Sequence, residues 1–98
     1  MNVYSSGNWL VKQGQEGEFV QRWRDFLEWT RENVPGFKSA TLMRSADDAR
    51  RFVSVGLWEN EKARDDWKTH GEFRQKLDAA RSLCDEFVGG DYNVEVVI

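Results

Sequence analysis

The sequence holds little of what staples or clamps a small domain together. Its 98 residues include one cysteine, one histidine and one proline. A lone Cys84 cannot close an intrachain disulfide, so a stapled secreted scaffold is excluded and a reducing compartment is expected. One histidine and one cysteine cannot make up a His/Cys zinc set within one chain. Basic charge is also short. Lys and Arg number 14 against 17 Asp and Glu, a net charge of −3. Phosphate contacts need a basic face, so nucleic acid is not an expected partner. No apolar run approaches the ~20 residues of a membrane-spanning helix. The stretch from Met1 to Leu10 shows no basic segment followed by an apolar one, so no secretory signal is read there. The expectation is a cytoplasmic protein that does not meet the membrane. The Gly-rich phosphate and dinucleotide motifs, the G-x-S-x-G elbow and H-E-x-x-H are all missing.

What the sequence has in quantity is large aromatic side chains, five Trp and six Phe. Rings of that size carry much of the burial in cores and interfaces. The length allows one domain, here residues 1–98, with one core of modest thickness. No internal repeat, low-complexity tract or linker stands out.

Glycines punctuate the chain. Asn8 to Gln13 reads as a first strand that can start as early as Val3, and Gly14 and Gly17 flank a polar turn. From Glu18 to about Asn33 the pattern is helical, with Phe19, Trp23, Phe26, Leu27, Thr30 and Val34 on one face. Pro35-Gly36 stops that helix. Phe37 to Arg44 is a second strand, and Ser45 to Arg50 a polar turn. Arg51 to Glu59 is the clearest strand, with Val53, Val55 and Leu57 on one side and Phe52, Ser54, Gly56 and Trp58 on the other. Gly56 marks a bulge or a close approach by backbone or ligand. Asn60 caps a second helix. His70-Gly71 breaks it, and a further helix places Phe73, Leu77, Ala80, Leu83 or Cys84, and Phe87 on its apolar face. Gly89-Gly90 ends this helix, and Tyr92 to Ile98 is the expected last strand.

The order β-α-β-β-α-β is the ferredoxin-like α+β plan, a four-stranded antiparallel sheet with helices on one face. Its other sheet face is uncovered. An exposed apolar face invites burial, and a second copy related by a two-fold axis is the simplest cover. A homodimer packed sheet to sheet is expected.

Several residues could carry chemistry. Trp58 and Trp67 can wall a pocket between sheet and helix, with the Trp67 indole N–H donating to a bound oxygen, or both can be plain core. His70 alone has an ordinary pKa near neutrality, and is either a proton shuttle at a pocket mouth or a surface residue before Gly71. Asn8 can hold a carbonyl or a dioxygen-derived group, or make strand-edge contacts. Cys84 reads as core, and the Asp47-Asp48 and Arg50-Arg51 group as a solvated hairpin tip.

The stretches VKQGQEGEFVQRW (11–23), NVPGFKSATLMRS (33–45) and RFVSVGLWENEKARDDWKTHGEFRQKL (51–77) together resemble the antibiotic biosynthesis monooxygenase (ABM) superfamily. The likeness rests on a Gly-containing turn before the first helix, a Pro-Gly turn after it, and Trp58, Asn60 and Ala63 in a W-x-[ST/N]-x-x-A pattern, followed by Trp67 and Phe73. It implies a dimeric α+β barrel with a pocket between sheet and helices. Some members oxygenate aromatic phenols to quinones without metal or flavin, so the resemblance implies no cofactor and a small aromatic or hydrophobic ligand. Trp67, His70 and Asn8 would then be the catalytic contacts, and Trp58, Phe73 and Leu77 the substrate-pocket wall. A non-catalytic dimer binding such a ligand is the alternative. A haem-degrading branch uses an asparagine, a tryptophan and an iron-ligating histidine at positions that here hold Gly7, Trp67 and Leu77.

Overall fold

The computed structural model describes residues 2–98; of the single domain expected over 1–98, Met1 lies outside them. The elements run β1 (Val3–Val11), α1 (Glu16–Asn33), β2 (Phe37–Arg44), β3 (Arg51–Trp58), α2 (Glu61–Trp67), α3 (Gly71–Arg81) and β4 (Cys84–Asn93). The strands form one antiparallel sheet in the order β2-β3-β1-β4, and the expected βαββαβ plan holds, with the second helical connection split into α2 and α3.

Local chemistry explains the boundaries. α1 buries Phe19, Phe26 and Thr30 and leaves Arg22, Glu28 and Glu32 in solvent. Val34 leaves the helix in an extended conformation ahead of Pro35, as the ring of a following proline requires. Gly36 follows with φ of 86°, and its carbonyl accepts from Glu59 N at 2.8 Å. A Cβ added at Gly36 would lie 2.5 Å from Ala63 Cβ, so the Pro-Gly turn packs directly on α2. Asn60 caps α2 through its side chain, which accepts from Ala63 N at 2.9 Å. His70 is the N-cap residue of α3 but makes no side-chain cap bond.

The C-terminal third departs from expectation. α3 ends at Arg81, and Cys84 and Phe87 lie on β4, not on a helix. Gly89 and Gly90 do not terminate a helix; they sit within β4, opposite Gly7 and Ser6 of β1. Residues 94–98 form no regular element. Leu83, Cys84 and Phe87 continue the three-and-four spacing of α3 by coincidence. A short apolar run fits helix or strand equally, and pairing with β1 decides for the strand.

The molecule is a slab with extents of 38 × 35 × 18 Å. Sheet and helices form two layers, as the shortest extent allows when layers pack ~10 Å apart. Two core clusters fill the space between them. One gathers Val3, Phe26, Val34, Trp58 and Trp67; the other Trp9, Val11, Phe19, Phe52 and Ala80. The opposite sheet face carries Tyr4, Asn8 and Leu10 of β1, Val53, Val55 and Leu57 of β3, and Val88 and Tyr92 of β4. No element among the described residues covers it, and Val88 and Tyr92 are exposed.

Candidate functional site

A cavity of about 250 Å³ lies between the two core clusters, and the register of the sheet explains it. The inward-facing row at the middle of the sheet reads Ala40, Gly56, Ser5 and Asp91 across β2, β3, β1 and β4. The next inward row reads Leu42, Ser54, Gly7 and Gly89. On the two central strands these rows hold only Ser and Gly. Toward one end of the sheet the row becomes Trp58 and Val3, and toward the other Phe52 and Trp9. Small residues flanked by rings leave a floor that side chains cannot fill. Trp23, Phe26 and Leu27 of α1 and Phe73 and Leu77 of α3 roof it, and Trp67 and Phe87 stand at its sides. The lining is mostly apolar, with few polar groups, the composition of a small-molecule site.

The rings pack on one another. Trp67 lies 4.9 Å from Trp58, 5.4 Å from Phe26 in a stacked arrangement, and 4.7 Å from Phe73 edge-on, all between centroids. Trp9 lies 4.2 Å from Phe87. Three buried indoles each donate to a hydroxyl oxygen. Trp9 Nε1 donates to Ser54 Oγ at 3.0 Å, Trp58 Nε1 to Ser5 Oγ at 3.1 Å, and Trp67 Nε1 to Thr30 Oγ1 at 3.0 Å. A buried indole N–H left unpaired would be costly, so these hydroxyls fix the ring orientations.

Two charged residues line the cavity, Lys68 at the end of α2 and Asp91 on β4. They form an ion pair and are partly exposed, which places them at the rim. Asp91 also approaches Arg64 Nε at 3.8 Å. Arg64 is buried and reaches the carbonyl of Tyr4 at 3.4 Å and that of Tyr92 at 3.5 Å, tying α2 to β1 and β4.

The sequence-predicted residues divide. Trp67, Phe73 and Leu77 come together on the cavity. Trp58 is fully buried behind it and touches Trp67, so it supports the wall without forming it. Trp67 contributes only its ring, because the N–H expected to reach a bound oxygen is already spent on Thr30. Asn8 does not join them. The alternation of β1 turns it to the open sheet face, between Val53 and Val88. His70 does not join them either. It lines a separate groove with Pro35, Asn60 and Thr69, edge-on to Trp29 at 5.6 Å. Leu77 offers no iron ligand and His70 lines the separate groove, so neither residue supplies the axial ligand of the haem pattern at this cavity. Cys84 is half-buried, and burial, helped by Asp85, pushes its thiol up to about 11. A neutral thiol packed against the Ala80 carbonyl is a core group, not a nucleophile. Among the described residues no group of three His, Cys, Asp or Glu side chains is placed to hold a metal ion.

Sequence reasoning missed Ser5, Ser54 and Gly7. Single small residues on a strand carry no signal by themselves; only the pairing of β1 with β3 groups them.

The comparisons agree with this architecture. SnoaB, a cofactor-independent oxygenase from Streptomyces nogalater, superposes with a TM-score of 0.89 at 21% identity, covering 99% of this chain and 96% of that one. A conserved protein from Methanosarcina mazei superposes with a TM-score of 0.85 at 14% identity, covering 97% and 94%. At such identities the likeness is one of fold. Among curated proteins none matches this chain. The family model for antibiotic biosynthesis monooxygenases matches residues 4–78, from the first strand through the helix that roofs the cavity, and the chain therefore belongs to that family.

Proposed function

We propose that this protein is a small cofactor-independent monooxygenase that takes a flat aromatic, phenol- or quinone-like molecule into the cavity between sheet and helices. The carrying observation is the cavity itself, a mostly apolar, ring-walled space with the charged pair Lys68 and Asp91 at its rim. Its volume of about 250 Å³ lies just under the range of drug-sized pockets and suits a molecule of few rings. Membership of the family and the description of SnoaB support the same reading.

The chemistry asks little of the protein. A phenolate can supply all the electrons: phenol plus dioxygen gives quinone plus water, one oxygen atom entering the ring and the other leaving as water. The chain's part is to hold the ring between Trp67, Phe73 and Leu77, exclude water, and offer hydrogen-bond donors to the oxygen that bears charge. The test is oxygen uptake with a panel of dihydroxy-aromatics in the presence of a chelator. Uptake that depends on the folded protein supports the proposal; no uptake from any member while the probes still bind overturns it.

One observation favours a second reading. Among the described residues lining the cavity there is no His, Tyr, Cys or Glu, and the carboxylate that lines it, Asp91, is paired with Lys68 at the rim, so no free general base stands inside. A dimer that binds the same ligands without turnover fits this, and binding without uptake would establish it.

We also propose that two copies pair through the open sheet face. The apolar row from Val53 to Leu57, with exposed Met43, Val88 and Tyr92, supports this, and a second copy would bury Asn8 at the interface. Sedimentation should report about twice the 11.5 kDa of one chain; a monomer at micromolar concentration contradicts it.

A further inference from the structure

The pattern S-x-G-x-W occurs twice, as Ser5-Ser6-Gly7-Asn8-Trp9 on β1 and Ser54-Val55-Gly56-Leu57-Trp58 on β3. The two strands are antiparallel neighbours, and Ser6 pairs with Val55, the second residue of each copy. That register makes the copies reciprocal. Ser5 stands opposite Gly56, and Gly7 opposite Ser54. A local two-fold axis between Ser6 and Val55 relates them.

The reciprocity extends to hydrogen bonds. The Trp of each strand donates its indole N–H to the Ser of the other, Trp58 to Ser5 and Trp9 to Ser54. Both serines are more than nine-tenths buried, with 8% and 7% exposure, and both line the cavity. A hydroxyl has one proton to donate. The third buried indole shows the usual arrangement: Thr30 accepts from Trp67 and passes its own proton to the Phe26 carbonyl at 2.9 Å. Ser5 and Ser54 differ. Neither hydroxyl donates to any acceptor among the described residues. Each is a donor polarised by an accepted indole hydrogen bond, and such chains strengthen the outward bond.

The paired glycines make room for the two indole–hydroxyl pairs. A Cβ at Gly56 would lie 2.7 Å from Ser5 Oγ and 3.4 Å from Trp58 Nε1, and one at Gly7 would lie 2.6 Å from Trp9 Nε1 and 2.9 Å from Ser54 Oγ. Any side chain there would displace the ring or the hydroxyl. The two serines are diagonal neighbours on the sheet, about 7–8 Å apart by ordinary sheet geometry.

We infer that Ser5 and Ser54 form a twin donor subsite on the cavity floor, which receives a flat ring system bearing oxygen acceptors on opposite sides, as in a 1,4-dioxygenated aromatic. The inference rests on the proposed aromatic-binding role of the cavity and adds its polar specificity. The ring lies in the cavity above the Trp9–Ser54 and Trp58–Ser5 pairs, and each serine donates to one oxygen. The two Ser residues are positioning groups for the ligand, and the two Trp residues act through them.

The test compares 2,3-dimethyl-1,4-naphthoquinone with 2,3-dimethylnaphthalene, probes of similar shape that differ in the two oxygens. Calorimetric titration of the wild type, Ser5→Ala and Ser54→Ala gives the ratio of quinone to hydrocarbon affinity in each protein. The ratio should fall about three- to tenfold in each variant, the worth of one hydrogen bond, and further in the double variant. Because both probes see the same folded protein, any loss of stability from the unpaired indole cancels in the ratio. Where a variant does not fold, the wild type alone decides. Quinone should move the Nε1–H proton resonances of Trp9 and Trp58 downfield relative to the hydrocarbon complex, and leave that of Trp67, which is paired through Thr30, with no such difference. If both probes bind but the ratio and the resonances do not respond, the donor subsite is wrong and the aromatic cavity stands. If neither probe binds, the cavity reading falls and the subsite falls with it.

Discussion

Thr30 holds Trp67 in place: its Oγ1 accepts the indole N–H at 3.0 Å and donates to the Phe26 carbonyl at 2.9 Å. One threonine near the C-terminal end of α1 thus fixes a ring from α2 against the cavity. Thr30→Val keeps the shape and removes the acceptor, leaving a buried donor unpaired. The expected loss is about 1–3 kcal/mol. For a domain of this size that lowers Tm by roughly 5–15 °C. Thr30→Ser should keep most of the stability. Thermal melts followed by near-UV circular dichroism check both.

The floor of the cavity depends on having no side chain at Gly7. A Cβ there would lie 2.6 Å from Trp9 Nε1 and 2.9 Å from Trp9 Cε2, against a packed ring. Gly7→Ala should destabilise by about 1–3 kcal/mol and shrink the space for a ligand. Gly17, in the first turn of α1, faces open space, and a methyl group there would meet no atom within 4 Å. Gly17→Ala should be neutral or stabilising by a few tenths to about 1 kcal/mol. Urea melts of the two variants should move in these different ways, and the aromatic probes should bind less tightly to Gly7→Ala alone.

Cys84 gives the protein an alkaline limit. Its thiol goes from an ordinary 9.0 to about 11, through burial first and Asp85 second. Between those values the folded state retains a proton that the unfolded state releases, so this contribution is complete below pH 9 and declines as pH rises through 11. Urea melts at intervals from pH 8 to pH 11 should show Cys84→Ala losing less stability over that window than the wild type. Equal slopes for the two proteins would refute the assignment.

The open sheet face offers a direct lesion. Val88 is 66% exposed on β4, beside Asn8. Val88→Asp places a charge in the proposed interface and costs the isolated chain little, since surface changes usually stay within about 0.5 kcal/mol. Sedimentation should show the mass falling toward one chain with secondary structure unchanged. A variant that still sediments as a dimer would move the interface elsewhere.

Much of the fold was legible because the local signals were strong. The stripe from Phe19 to Thr30, the Pro35-Gly36 stop, the alternation from Phe52 to Trp58 and the Asn60 cap each name an element and agree with one another. The reading failed where two periods overlap. Cys84 and Phe87 suit the far end of α3 and also one face of a strand, and only the β1 edge, whose backbone groups need partners, resolves it. The site was half legible. Trp67, Phe73 and Leu77 lie on helices whose apolar faces can be read from spacing. Asn8 was misplaced because alternation along β1 says which residues share a face but not which face the helices cover.

The sequence by itself determined the order of elements and the aromatic stripes. These follow from spacing along the chain. The antiparallel register of β1 and β3 decided the rest. It set Ser5 against Gly56 and Gly7 against Ser54, brought four small residues into one floor, and turned Trp9 and Trp58 onto hydroxyls of the opposite strand. A one-residue slip would have sent every one of those side chains to the other face, so the cavity exists only through the pairing.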